Sequence, residues 1–367
     1  MGDYLKLFET HSEYEAYSSG DMLKPNVSYC EDNNEVHYNP WTWADTYLTF
    51  VAKGDGTFTF TPKNNNVISY STDNGSNWTV ENEVTVESGD KVLWKGTMTP
   101  LTYEGVGTFS STANFDVQGN VMSLLYGDDF KGKVDLTGKN YAFYRLFYQN
   151  TKVVSAENLS LPATTLASSC YSSMFSGCTA LTTTPELPAT TLVQYCYTNM
   201  FRGCTTLTTA PELPATTLAS SCYSSMFQGC TSLTTAPVLS ATTLEESCYH
   251  YMFSGCTALT TAPELPATTL ADGCYGQMFN GCTTLTTAPE LPATTLVSYC
   301  YVQMFNRCSS LNYIKAMFTT TPNTLYTDKW VYGVSSSGRF VKNSAAAWNV
   351  TGANGVPSGW TVETASA

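Results

Sequence analysis

The sequence predicts a mixed β and α/β chain. A β-sandwich comes first, then a solenoid of 26-residue repeats, each a short strand plus a short helix, closed by a C-terminal cap. Three observations carry this. Cys170, Cys196, Cys222, Cys248, Cys274 and Cys300 recur at a constant interval of 26 residues. Before them, alternating β-type runs are punctuated by Gly, Asp and Asn. After Leu311 the repeat frame breaks, and a tail with Trp330, Trp348 and Trp360 remains to cover the open end.

Residues 1–44 read as a separate segment. Thr10 and Glu13 stand at capping-box spacing, which predicts a short helix, and "NVSYCEDNNEVHY" predicts a hairpin turning at Asp32-Asn33-Asn34. His11, Cys30 and His37 are the one nearby trio with metal-ligand chemistry. One Cys and two His without a fourth ligand read as packing.

From 45 to 138 the pattern predicts a small sandwich. "TYLTFVAKGDGTFTFTP" turns at Gly54-Asp55-Gly56, "VISYSTDNGSNWTV" at Asp73-Asn74-Gly75, and "EVTVESGDKVLWKG" at Ser88-Gly89-Asp90, each read as a turn between adjacent strands.

Residues 139–318 form the repeat array, and 319–367 the cap. In "CYSSMFSGC" the large apolar residues fall at 170, 171, 174, 175 and 178, the spacing of one helical stripe. The following "CTALTTTPELP" reads as a short extended segment ended by Pro185 and Pro188. A 26-residue unit has too few apolar side chains to offset the ordering of its own backbone, so the copies must stack. A degenerate first copy, "AFYRLFYQNTKV", keeps the frame with Ala142 and Asn150 in place of the two cysteines.

Twelve of the 13 cysteines belong to the six full copies. On a helix, positions i and i+8 lie about 12 Å apart, beyond the reach of a disulfide. The spacing is not that of a zinc site, and the array holds one histidine, His250. Ala142 and Asn150 could serve neither role. The prediction is buried free thiols that fill space, with no metal and no cofactor.

"MFSGCTALTTTPEL" carries the Phe-x-x-Cys-x-x-Leu core of the BspA-like leucine-rich repeats of bacterial surface proteins, which it resembles over about residues 139–318. The resemblance implies a leucine-rich repeat solenoid and surface adhesion. The 26-residue period is longer than that family's usual unit. The segments "LKLFETHSEYEAY" and "EDNNEVHYNP" resemble openings of structural proteins of gut Bacteroidales phages, which implies that residues 1–44 attach to other virion proteins.

Function follows from what varies among copies. The outward positions change: Gln194, Tyr195, Asn199 and Arg202 in one copy, His250 and Tyr251 in another, then Gln277 and Asn280, then Tyr299 and Gln303. They are the candidate ligand-binding residues, with Tyr, Arg and Asn suited to adaptable polar recognition. Drift of unrestrained solvent positions is the plainer explanation of the same variation. On the strand side Glu186, Glu212, Glu264 and Glu290 form an acidic row interrupted by Val238, thin support for a calcium site that needs six to eight oxygens.

Composition narrows the field. The net charge is −13, and 17 Lys and Arg are spread over 367 residues, which argues against nucleic-acid binding. No segment approaches the ~20 apolar residues of a membrane span. The opening residues lack a secretory pattern, and Lys6 departs from the myristoylation pattern, so the thiols are expected to stay reduced in a cytoplasm. No catalytic motif such as GxSxG or HExxH is present. The expectation is a non-enzymatic virion-surface protein (a fibre, spike or capsid decoration) that meets a host-surface glycan or protein; a homo-oligomer is compatible with it. A bacterial cell-surface adhesin is the alternative, and a glycan hydrolase a distant third.

Overall fold

The computed structural model describes residues 6–8, 28–31, 36–38, 43–100 and 103–365. Their regular elements are mostly β-strands, with α-helix confined to the four-residue turns Ser123–Tyr126 and Thr324–Thr327, and no sheet closes into a barrel. Strand β1 (Lys6–Phe8) pairs parallel with β2 (Ser28–Glu31), and β2 pairs antiparallel with β3 (Val36–Tyr38). The hairpin expected there is present. Its turn residues 32–34 and the expected helix at Thr10–Glu13 lie outside the described residues.

Seven strands follow: β4 (Leu48–Ala52), β5 (Gly56–Pro62), β6 (Ile68–Ser71), β7 (Glu83–Val86), β8 (Lys91–Gly96), β9 (Gly107–Ser111) and β10 (Phe115–Asn120). One sheet contains β10-β4-β8-β6 and the other β7-β5-β9. Alternation decides which side chains point inward: Phe58 and Phe60 of β5 are buried, while Thr57, Thr59 and Thr61 beside them are not. Phe50 centres the shared core, its ring 5.4 Å from Phe58 and 4.7 Å from both Phe109 and Phe115. Such edge-on and tilted arrangements are those aromatic rings prefer.

Of the three expected strand-to-strand turns, one is a hairpin. Asn74 and Gly75 both have positive φ (56° and 87°), and Tyr70 and Thr79 exchange two backbone hydrogen bonds of 2.9 and 2.8 Å. That is the primed turn that matches strand twist. The turns at Gly54-Asp55-Gly56 and Ser88-Gly89-Asp90 instead carry the chain from one sheet to the other, since β5 and β7 lie opposite β4 and β8. Turn chemistry marks where a chain reverses. Which strand it then pairs with is decided by distant partners, here Ala52, which accepts from Gly89 and donates to Asp90.

The two-sheet unit and the repeats share a core. Strand β11 (Val153–Ser160) pairs parallel with β10, so the larger sheet crosses residue 138 without a break. Phe109 stacks on Phe147 of the degenerate copy at 5.8 Å, and its backbone N–H donates to Leu146 O at 2.7 Å.

The helix expected in each copy is absent. Residues 168–178 form a run of overlapping turns in which every fourth residue is left-handed: Ser169 (φ 57°), Ser173 (φ 57°) and Gly177 (φ 80°). Within the copy, Met174 N donates to Tyr171 O and Cys178 N to Phe175 O. The intervening N–H groups donate to the next copy: Tyr171 N to Cys196 O, Ser173 N to Thr198 O and Phe175 N to Met200 O, at 3.0, 2.8 and 2.9 Å. Half of the donors are thus satisfied only by a neighbour, so the backbone itself demands stacking. The degenerate copy obeys the same rule, with left-handed Tyr141, Arg145 and Gln149. A pair of apolar residues every four positions fits a four-residue ladder as well as a 3.6-residue helix, and eleven residues are too few to separate the two periods.

Side chains stack in register as well. The tyrosine column from Tyr171 to Tyr301 has ring separations from 5.8 Å to 6.1 Å, and the phenylalanine column from Phe175 to Phe305 from 5.7 Å to 5.8 Å, all near-parallel. The Thr-rich extended segments meet through isolated parallel bridges, such as Thr209 to Thr235 to Thr261, because proline follows two residues later and ends the ladder.

At the far end the ladder continues into the segment expected as the cap. Phe305 N donates to Trp330 O and Arg307 N to Tyr332 O, with Lys329 (φ 49°) and Gly333 (φ 76°) left-handed, so after the helical turn Thr324–Thr327 residues 328–333 continue the ladder. Strands β12 (Tyr313–Ala316), β13 (Arg339–Lys342) and β14 (Thr361–Thr364) form a parallel sheet beside it. Trp330, Trp348 and Trp360 are all buried there, Trp330 in the ring column 6.1 Å beyond Phe305.

Candidate functional site

The twelve array cysteines are buried and unbonded to one another. They are not equivalent. The first of each pair packs without a side-chain hydrogen bond, save Cys300, whose thiol lies 4.0 Å from Tyr326 O. The second donates its S–H to the carbonyl of a phenylalanine in the preceding copy: Cys204 to Phe175 O at 3.2 Å, Cys230 to Phe201 O, Cys256 to Phe227 O and Cys282 to Phe253 O at 3.1 Å, and Cys308 to Phe279 O at 2.9 Å. Asn150 makes the equivalent bond from its amide to Phe109 O at 3.1 Å, which explains why Asn serves at that position. The expectation of inert filler therefore holds for only half of the thiols. Burial pushes Cys230 and Cys308 up to about 12, keeping the proton that the bond uses.

The ten candidate residues lie along the outer corner of the turn ladder. Six of them, Tyr195, Asn199, Tyr251, Gln277, Tyr299 and Gln303, occupy its left-handed positions. Exposure differs along these corners: Tyr195 and Tyr299 are exposed, most of the others half-buried, and Ser169, Ser173 and Ser225 buried.

The structure brings half of the candidates together. His250 packs edge-on against the Tyr251 ring at 4.3 Å and lies over Gly276, where a Cβ would come within 2.6 Å of its Cδ2. Gln277 donates to Tyr251 Oη, and Asn280 donates to Gln277 Oε1 at 3.4 Å. Asn280 and Gln303 then line a cavity of about 490 Å³ with Asn306, Arg307, Lys329 and Tyr332. Burial alone lowers the His250 pKa, which favours the neutral ring.

The others stand apart. Gln194, Tyr195 and Arg202 are exposed at the opposite end of the array, with Asn199 half-buried beside them. Tyr299 shares the column of Tyr195 but lies four copies away, separated by Ser221, Ser247 and Gly273.

Arg307, Lys329 and Tyr332 were not among the candidates. Arg307 had a sequence signal, since it replaces the glycine that ends the frame in the five preceding copies. Lys329 and Tyr332 had none, because their segment follows the visible frame.

On the opposite side Glu186, Glu212, Glu264 and Glu290 are exposed, as is Val238 between them. Proline and glutamate line two shallow grooves of about 300 and 370 Å³, and Lys315 pairs with Glu290 at 2.9 Å. Among the described residues no group of three His, Cys, Asp or Glu side chains is placed to hold a metal ion, and no helix is long and apolar enough to cross a membrane. His11 and the side chains of Cys30 and His37 lie outside the described residues.

No family model matches the chain, and neither a curated protein nor a solved structure does.

Proposed function

We propose that this chain is a non-enzymatic recognition protein of a phage virion surface. In this reading residues 45–138 are a β-sandwich, residues 139–318 a leucine-rich repeat solenoid of BspA-like type, and residues 1–44 the attachment to other virion proteins. The outer corner of the turn ladder meets a host-surface glycan or protein.

One observation carries the reading. Cys, Tyr, Met, Phe, Cys and Leu are unchanged at the inward columns of all six copies, while the left-handed outer corner carries Ser, Tyr, Asn, Gln or Gly. A rigid interior with a changing, weakly charged outer corner is how repeat proteins present a binding surface. The test is proteomics of purified phage particles together with attachment of the recombinant chain to host cells. The chain is expected in the particles at stoichiometric amounts, and its absence from them refutes the virion reading. The Phe-x-x-Cys-x-x-Leu core supports a bacterial surface adhesin instead, and recovery of the chain from washed cell envelopes would favour that assignment.

A further inference from the structure

We infer that the cavity between Asn280 and Tyr332 is a binding site for an acidic sugar residue, its carboxylate held by Arg307 and Lys329. The inference rests on the proposed recognition role and names the ligand class for one part of the outer corner.

Four features point to it. First, the lining is of one sign: two cations, three carboxamides and a tyrosine, with no carboxylate. The chain as a whole carries −13, so long-range steering of an anion is unfavourable and capture depends on this local pair. Second, both cations are available. Neither Arg307 nor Lys329 makes an ion pair among the described residues, and both are exposed. A guanidinium offers the planar fork that matches a carboxylate, and an ammonium beside it adds a point charge.

Third, Asn306 is only 7% exposed and makes no side-chain hydrogen bond to a described residue, although it lines the cavity. Its amide atoms are not sealed off by protein, so its donors and acceptor are open to the cavity and can bond a ligand there. Asn280 and Gln303 add the same chemistry, which suits vicinal hydroxyls that donate and accept together. Fourth, Tyr332 is 55% exposed and offers an aromatic face for the apolar side of a pyranose. The volume, about 490 Å³, falls in the range of small-molecule sites, roughly 300–1,000 Å³.

The frame is preorganised. Gln303, Arg307 and Lys329 sit at left-handed corners, locked by Gln303 N to Asp328 O at 2.8 Å and by Arg307 N to Tyr332 O. Little backbone ordering remains to oppose binding, and the cost left is that of holding the two long cationic side chains.

The test is titration calorimetry on the full chain with methyl glucuronide, methyl glucoside and sodium sulfate, repeated on Arg307→Gly. Glycine is the frame residue of the preceding copies, so this variant removes the cation without straining the fold. Methyl glucuronide is expected to bind at least about tenfold more tightly than methyl glucoside, and Arg307→Gly to lose about tenfold or more of that affinity. Equal affinity for the two glycosides, or full affinity in Arg307→Gly, overturns the inference. Sulfate binding as tightly as the glucuronide overturns the sugar part and leaves a simple anion site. Attachment to host cells without glucuronide binding refutes this inference alone. Glucuronide binding lost in Arg307→Gly, with no attachment of the wild type to cells, refutes the recognition role and keeps the site.

Discussion

The turn ladder makes a prediction whose sign separates it from a helix. Ser221 is a left-handed corner (φ 54°), half-buried, and its hydroxyl bonds to no described residue. Compare Ser221→Gly with Ser221→Ala. In a left-handed position a Cβ costs about 1–2 kcal/mol, which glycine avoids. Glycine in turn gives the unfolded chain more freedom, worth about 0.4–1 kcal/mol against folding. The net expectation is a Gly variant more stable than the Ala variant by about 0.5–1 kcal/mol. A helix at the same residues would reverse this, with Ala favoured by about 1 kcal/mol. The two backbones therefore differ by about 1.5–2 kcal/mol in one comparison, well above measurement error. Gly273 already occupies this column in a later copy, so the change is tolerated by packing. The assay is urea unfolding followed by tyrosine fluorescence, reading the midpoint at constant slope. An Ala variant equal to or more stable than the Gly variant refutes the ladder.

Three further predictions follow from the same geometry. Burial raises the thiols of Cys222, Cys230, Cys274 and Cys308 from the ordinary 9.0 to about 12, so the folded state holds protons that the unfolded state releases. Their stabilisation is complete below pH 9 and falls as pH rises toward 12; urea midpoints should drop across that window, and an unchanged midpoint contradicts burial of protonated thiols. Asn150→Ala should cost about 1–2 kcal/mol by removing the bond to Phe109 O, with Asn150→Cys recovering part of it; equal melting of the two variants would show that the bond is idle. Tyr195→Ala combined with Arg202→Ala should weaken attachment to host cells without lowering the melting temperature, because both side chains are exposed; unchanged attachment returns that end of the outer corner to neutral drift.

Much of the architecture was legible before any coordinates. The interval of Cys170, Cys196 and their successors gave the stacking, and the constancy of Tyr171, Met174, Phe175 and Leu181 across copies gave the core columns. Ala142 and Asn150 identified the degenerate copy, but the donor role that Asn150 shares with the second cysteine is visible only once the copies are packed together. The expected helix is absent because eleven residues of paired apolar spacing fit two backbones, and only inter-copy hydrogen bonds distinguish them.

Of the candidate residues, sequence variation located the outer corner but could not say which of its members meet. His250, Tyr251, Gln277, Asn280 and Gln303 join into one strip, whereas Tyr195 and Tyr299 never approach.

The chain's order of residues thus determined what is buried and how often the pattern returns, since burial and periodicity are written in local composition. Three-dimensional arrangement alone decided the backbone that links those residues, the sheet each early strand enters, and the meeting of Arg307 with Lys329 and Tyr332. Those outcomes depend on hydrogen bonds between groups some 25 residues apart in the array, and no short window of sequence holds both ends of such a bond.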